Sequence, residues 1–182
     1  ELSGKGVSYC ATCDGNFFRG QEVAVIGGGD AAIDEGLYLT RIVNKVTVVH
    51  RRDQLRASKI LQERAFADSK MKFVWNTVVQ EILGNGSMDK LLLKDVKNGE
   101  TSIFPVAGVF IYIGFVPNSS FLRGVVPLDN GGHVITNIRM ATKVPGIFVA
   151  GDIRQHSDRQ LGTAVGDGIT AALSAYQYLT EE

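Results

Sequence analysis

Two cysteines, Cys10 and Cys13, stand three positions apart in S-Y-C-A-T-C-D-G-N-F-F (8–18), and they are the whole cysteine content of the 182-residue chain. A thiol pair at this spacing can hold a metal, staple a fold, or open and close as a redox couple. Zinc takes four ligands, and His50, His133 and His156 offer no second pair at metal-ligand spacing. A staple is unneeded in a chain long enough to bury its own core. Redox use remains, because a disulfide in a reducing compartment is more often transient and catalytic than structural. Asp14 and Gly15 set the pair at a turn rather than in an apolar run. Two unrelated buried thiols are the alternative that cysteine spacing leaves open.

A second cluster points to a phosphate-bearing ligand. Gly27-x-Gly29-x-x-Ala32 follows the apolar run Val23 to Ile26 and opens a segment whose apolar residues Ala32, Ile33, Leu37 and Tyr38 recur at helical spacing. In that context the first glycine permits a sharp turn, the second lets backbone approach a pyrophosphate, and the small third residue lets helix and strand pack closely. The helix N-terminus adds free N–H donors and a favourable dipole. A NAD site would place Asp or Glu at the end of the next strand; here stand His50, Arg51 and Arg52, with Arg56 one turn on. Guanidinium forks bind a 2′-phosphate through charge-assisted hydrogen bonds, so the expected cofactor is NADP(H). The alternative is a solvated basic turn.

These residues need a scaffold, and the pattern around them supplies one. Val23–Ile26, a helix, Val46–Val49, a helix over Leu55–Phe66 and a strand in K-F-V-W-N-T-V-V (72–79) alternate as a parallel sheet with crossover helices does. From Glu81 to Phe104, turn signals at Gly84-Asn85-Gly86 and Asn98-Gly99 predict an antiparallel β-meander. Residues 106–114 read as a buried strand returning to the parallel sheet. The fold class is thus α/β, a Rossmann-like three-layer nucleotide-binding domain with an inserted meander, ending near Pro117. Beyond it lie a strand in G-I-F-V-A-G-D (146–152) and a helix over 162–179, too little to bury themselves. Residues 118–182 therefore read as part of a second domain, whose apolar helix face is expected to self-associate or stay disordered.

Composition narrows the partners. Nineteen Lys plus Arg balance nineteen Asp plus Glu, so no long-range field gathers nucleic acid or an anionic membrane. No stretch approaches the roughly 20 apolar residues of a membrane span, and the first residues lack a signal-peptide pattern, which makes a cytoplasmic address the expectation.

Taken together and in order, C-A-T-C-D-G, V-I-G-G-G-D-A-A-I-D-E, H-R-R-D-Q-L-R-A-S-K and I-F-V-A-G-D-I-R followed by R-Q-L-G-T-A-V-G-D-G resemble the low-molecular-weight, bacterial-type thioredoxin reductases along essentially the whole chain. The resemblance implies a homodimeric flavoprotein passing electrons from NADPH to FAD, then to the Cys10–Cys13 disulfide, then to thioredoxin. It implies that Cys13 faces the flavin, that Cys10 forms the mixed disulfide, and that Asp14 moves the proton of the departing thiolate. Gly28, Gly29, Asp30 and Ala31 match the pyrophosphate turn. His50, Arg51, Arg52 and Arg56 match the 2′-phosphate clamp, and Ile113 and Gly114 the segment beside adenine and nicotinamide. Asp152, Arg159, Gln160 and Leu161 match flavin contacts. Hinges between two domain orientations are expected near 2–6 and 114–118. Ala31 departs from the usual Ser or Thr, which predicts somewhat weaker nucleotide binding. The N-terminal part of the FAD domain has no counterpart in these residues, so the FAD site is expected to be incomplete and the chain alone to fall short of turnover. Two other readings are a flavoprotein resembling that of alkyl hydroperoxide reductase and a stand-alone NADP-binding module with no redox role.

Overall fold

The computed structural model describes residues 2–180. The chain divides into two compact units, Glu1–Gly114 and Phe115–Glu182, a division just ahead of the Pro117 boundary expected from sequence.

In the first unit five parallel strands form one sheet in the order β1 (Val7–Ser8), β8 (Gly108–Tyr112), β2 (Glu22–Gly27), β3 (Lys45–Val49), β4 (Met71–Val74). Side chains alternate across a strand, and both faces of β2 are covered. Val23 and Val25 point into a core with Ile33, Leu39, Val46, Val48 and Phe110. Ala24 points into a second core with Val49, Leu91, Leu93 and Val109. The first core lies under α1 (Ala11–Asp14), α2 (Asp30–Thr40) and α3 (Lys59–Ala67). The second lies under the antiparallel meander β5 (Thr77–Gly84), β6 (Met88–Asp95), β7 (Thr101–Pro105). Helices, parallel sheet and meander are the three layers predicted. Each fully buried Val, Leu, Ile or Phe adds about 1.5–3 kcal/mol, and Phe110, wholly buried, meets Phe18 edge-on at 5.4 Å.

Two elements differ from their sequence-based extents. The helix expected from Leu55 begins at Lys59, because Arg56 and Ala57 both donate their N–H to the Gly28 carbonyl (2.7 and 3.1 Å), holding this stretch against the glycine turn. The strand expected over residues 72–79 is two strands. Asn76 takes a left-handed conformation (φ 51°), which Asn tolerates better than most residues, and its N–H donates to the Arg52 carbonyl. The meander therefore starts at Thr77, ahead of Glu81.

The second unit is loop-rich. The strand expected at 146–152 is reduced to an isolated bridge, Ala141 to Phe148, since a strand forms only where a neighbour accepts its ladder. The C-terminal helix is present as α4 (Leu161–Thr180). Its Asp167 carboxylate binds the Arg154 guanidinium through two nitrogens and accepts from the Gly151 N–H. The Arg154 hydrogen bonds hold the Asp167 carboxyl below its ordinary range. No helix among the described residues is long and apolar enough to cross a membrane.

Candidate active site

Cys10 and Cys13 are joined as a disulfide, with Cα atoms 5.3 Å apart. Cys10 is the N-cap of α1, and its Sγ accepts from the Cys13 N–H at 3.1 Å, the place where helix geometry leaves donors unsatisfied. Ser8, at the end of β1, ties the turn together. Its hydroxyl donates to Asp14 Oδ2 at 2.7 Å and accepts from the Cys10 N–H at 3.1 Å. The Asp14 carboxylate is thereby oriented on the same turn as both sulfurs.

The Ala11 N–H, between the cysteines, donates to the Tyr112 hydroxyl at 2.8 Å, and that hydroxyl lies 3.4 Å from Glu35 Oε2 on α2. Burial pushes the Glu35 carboxyl above its usual range, a rise that the Tyr112 hydrogen bond partly offsets. Burial likewise pushes the Tyr112 phenol well up, aided by the Glu35 charge. No motif in the sequence marks Ser8, Glu35 or Tyr112. The one available signal is a hydroxyl-bearing tyrosine in the otherwise purely hydrocarbon run V-F-I-Y-I (109–113).

The glycine turn Gly27–Gly29 joins β2 to α2. Gly27 adopts φ 148°, and a Cβ there would run into the Tyr112 carbonyl oxygen; a Cβ on Gly28 would run into the His50 ring. Gly29 is the extended N-cap of α2, has no side-chain cap and has open space at its Cβ position. The first-turn N–H groups that follow, Asp30, Ala31 and Ala32, have no intrahelical acceptor by geometry. The Asp30 carboxylate is turned aside: its Oδ1 accepts from the Ser58 N–H at 2.6 Å, fixing the start of α3.

His50 is buried at the end of β3, with Nε2 lacking a hydrogen-bond partner. Burial, then the charges of Arg56, Arg52 and Arg51, hold its pKa below the ordinary value, so it is neutral near pH 7. A crevice of about 590 Å³ brings together Gly27, Gly28, His50, Arg51, Arg56, Tyr112 and Ile113. Its other wall is β5, from Thr77 to Ile82, which no motif marks. Arg52 and Gly114 sit next in sequence to these lining residues. The open helix N-terminus, the arginines and the apolar wall fit a dinucleotide with a 2′-phosphate.

In the second unit Arg159 holds φ 54° and stacks its guanidinium 5.3 Å from the Phe115 ring. The Gln160 carbonyl accepts from the Ala164 N–H, Leu161 opens α4 exposed, and Asp152 is exposed. Gly162, in the first turn, faces open space. These groups bring a helix N-terminus and polar side chains to one unit, which suits part of a flavin site.

Residues 1–168 match the pyridine nucleotide-disulphide oxidoreductase family. The chain belongs to that family. Within it the similarity to thioredoxin reductases read from the motifs is borne out. The chain is 54% identical to the thioredoxin reductase of Bacillus subtilis (strain 168), over all of this chain and 58% of that protein. It is 52% identical to that of Listeria innocua serovar 6a, over all of this chain and 57% of the relative. A solved thioredoxin reductase from Streptococcus pyogenes MGAS5005 superimposes with a TM-score of 0.93 at 50% identity, over 98% of this chain and 58% of that one. The chain thus spans a little under three fifths of the length of these relatives.

Proposed function

We propose that the chain supplies the NADPH-binding and disulfide-carrying part of a thioredoxin-disulfide reductase that uses NADPH and FAD. The observation that carries this reading is the joining, within one unit, of a closed Cys10–Cys13 pair and a crevice rimmed by an open helix N-terminus and arginines. In this reading the N–H groups at Gly29 to Ala32 hold the pyrophosphate. Arg51, Arg52 and Arg56 hold the 2′-phosphate, His50 packs against Gly28, and Ile113 and Gly114 border the adenine and nicotinamide. Asp152, Arg159, Gln160 and Leu161 would hold part of the FAD, which when bound supplies the two-electron relay between nicotinamide and disulfide.

The chain's own residues then do the thiol chemistry. Reduced Cys10, as thiolate, attacks the disulfide of a thioredoxin, forming a mixed disulfide and releasing one thioredoxin thiol. Cys13 attacks the Cys10 sulfur, re-forming the disulfide and releasing the second. Asp14, fixed by Ser8, carries the proton between solvent and thiol. Such cycling suits the cytoplasm, where thiols are kept reduced. A homodimer is part of the same reading, by analogy with the family, and the balanced surface charge supports neither nucleic acid nor membrane as partner. The arginine cluster gives the peroxide-reductase-type alternative no support, and the relatives do not favour it.

The test is thioredoxin reduction, with NADPH or NADH, by the complete flavin-loaded reductase of which this chain is proposed to be a part. A preference for NADPH and loss of turnover in Cys10→Ser are expected. Equal use of both nucleotides, or full activity in Cys10→Ser, would refute the reading.

A further inference from the structure

Tyr112 touches both halves of the site. Its hydroxyl lies between the buried Ala11 N–H and Glu35 Oε2. The roles are forced, since an N–H only donates and a carboxylate only accepts: the phenol proton points to Glu35 and a lone pair to Ala11. At the other end of the same residue, the backbone of Tyr112 is in register with Gly27, close enough that only glycine fits opposite its carbonyl. One rigid residue of β8 therefore connects the turn that holds nucleotide phosphates to the turn that holds the sulfurs.

We propose that Tyr112 is a positioning residue that registers the cysteine turn against the nucleotide turn and so couples nucleotide occupancy to the redox equilibrium of the Cys10–Cys13 pair. The inference rests on the function proposed above. While the disulfide is closed, the first turn of α1 is fixed and the Ala11 N–H, fully buried, has the Tyr112 hydroxyl as its acceptor. When the bond opens, the turn can relax and that N–H can find water. The hydroxyl thus favours the disulfide over the dithiol, because an unsatisfied buried donor is costly only where it cannot move. Coupling between two sites is reciprocal, so a ligand that settles the Gly27 turn against Tyr112 shifts the sulfur equilibrium, and the sulfur state shifts ligand affinity by the same factor. The high pKa of the phenol keeps the proton in place through the working pH range.

The experiment equilibrates the protein anaerobically with mixtures of dithiothreitol and its cyclic disulfide, with and without saturating NADP+. Two electrons and two protons enter the Cys10–Cys13 bond as two dithiothreitol thiols close into a ring. Alkylation and mass measurement give the dithiol fraction. In the unaltered protein NADP+ moves the equilibrium constant by at least about threefold. Tyr112→Phe moves it about tenfold toward dithiol, about 30 mV for a two-electron couple, and abolishes the NADP+ effect. Glu35→Gln, which keeps an acceptor for the hydroxyl, stays within about threefold of the unaltered protein. Should Tyr112→Phe not fold, Glu35→Ala, which removes that acceptor, is titrated in its place and is expected to shift the same way. A variant lacking either the hydroxyl or its acceptor that titrates like the unaltered protein overturns the inference, as does a Glu35→Gln shift equal to that of Tyr112→Phe. Failure of the underlying function looks different: the unaltered protein then binds no NADP+ or its sulfurs do not take up electrons at all.

Discussion

Asp14 and His50 show how single side chains were legible as types but not as environments. That an acid follows Cys13 is plain from the sequence; that Ser8 donates to it across the turn is not, because the bond joins a strand end to a helix that only folding brings together. Asp14→Asn keeps an acceptor for Ser8 while removing the carboxylate proposed to carry the proton. Turnover of the complete flavin-loaded reductase should fall about 100-fold with the thermal midpoint unchanged, as assayed by thioredoxin reduction and calorimetry. His50 was singled out for the phosphate clamp, and the structure adds its burial. Its folded pKa is lowered by that burial and by Arg56, Arg52 and Arg51, so between the folded value and about 6.5 the unfolded chain binds the extra proton. Stability is therefore full above that window and declines as pH falls through it. Urea midpoints measured from pH 7.5 to 5 should drop more steeply in the unaltered protein than in His50→Gln, and parallel curves would show that His50 does not titrate in this way.

Elements with a strong period were read correctly, and those decided by distant hydrogen bonds were not. The strand–turn–helix of Val23 to Thr40 follows from its apolar spacing and its glycines. The late start of α3 follows from two N–H donations to Gly28, a residue far back in sequence, and the split of residues 72–79 from the left-handed Asn76. The β2–α2 turn is the most constrained of these elements. Gly27→Ala forces a side chain into a left-sided φ and against the Tyr112 carbonyl. The loss should be about 2–3 kcal/mol in urea unfolding, together with weakened NADP+ binding; unchanged stability would mean that the turn is not held as described.

At the scale of the whole chain, the motifs of the first unit were legible because each lies within one short stretch, whereas the second unit offered one strand signal that did not become a strand. In that unit the Arg154–Asp167 pair ties a loop to α4. Because the Asp167 carboxyl is held below its ordinary range, its contribution is present above about pH 4 and is lost as pH falls through the folded value. Asp167→Asn should cost on the order of 2 kcal/mol at pH 7, read as a lower denaturation midpoint of this unit, with the difference vanishing in acid. The exposed ridge of Leu161, Val165, Ile169 and Leu173 on α4 should make the chain associate with itself as concentration rises, which light scattering would register. The central claim, that the crevice is built for a 2′-phosphorylated dinucleotide beside a redox pair, is tested most directly by calorimetric titration of the chain with NADP+ and with NAD+. The account predicts one site that favours NADP+ by at least about tenfold, with the preference lost in Arg51→Ala combined with Arg52→Ala. Equal affinity for the two nucleotides, or none for either, would contradict it.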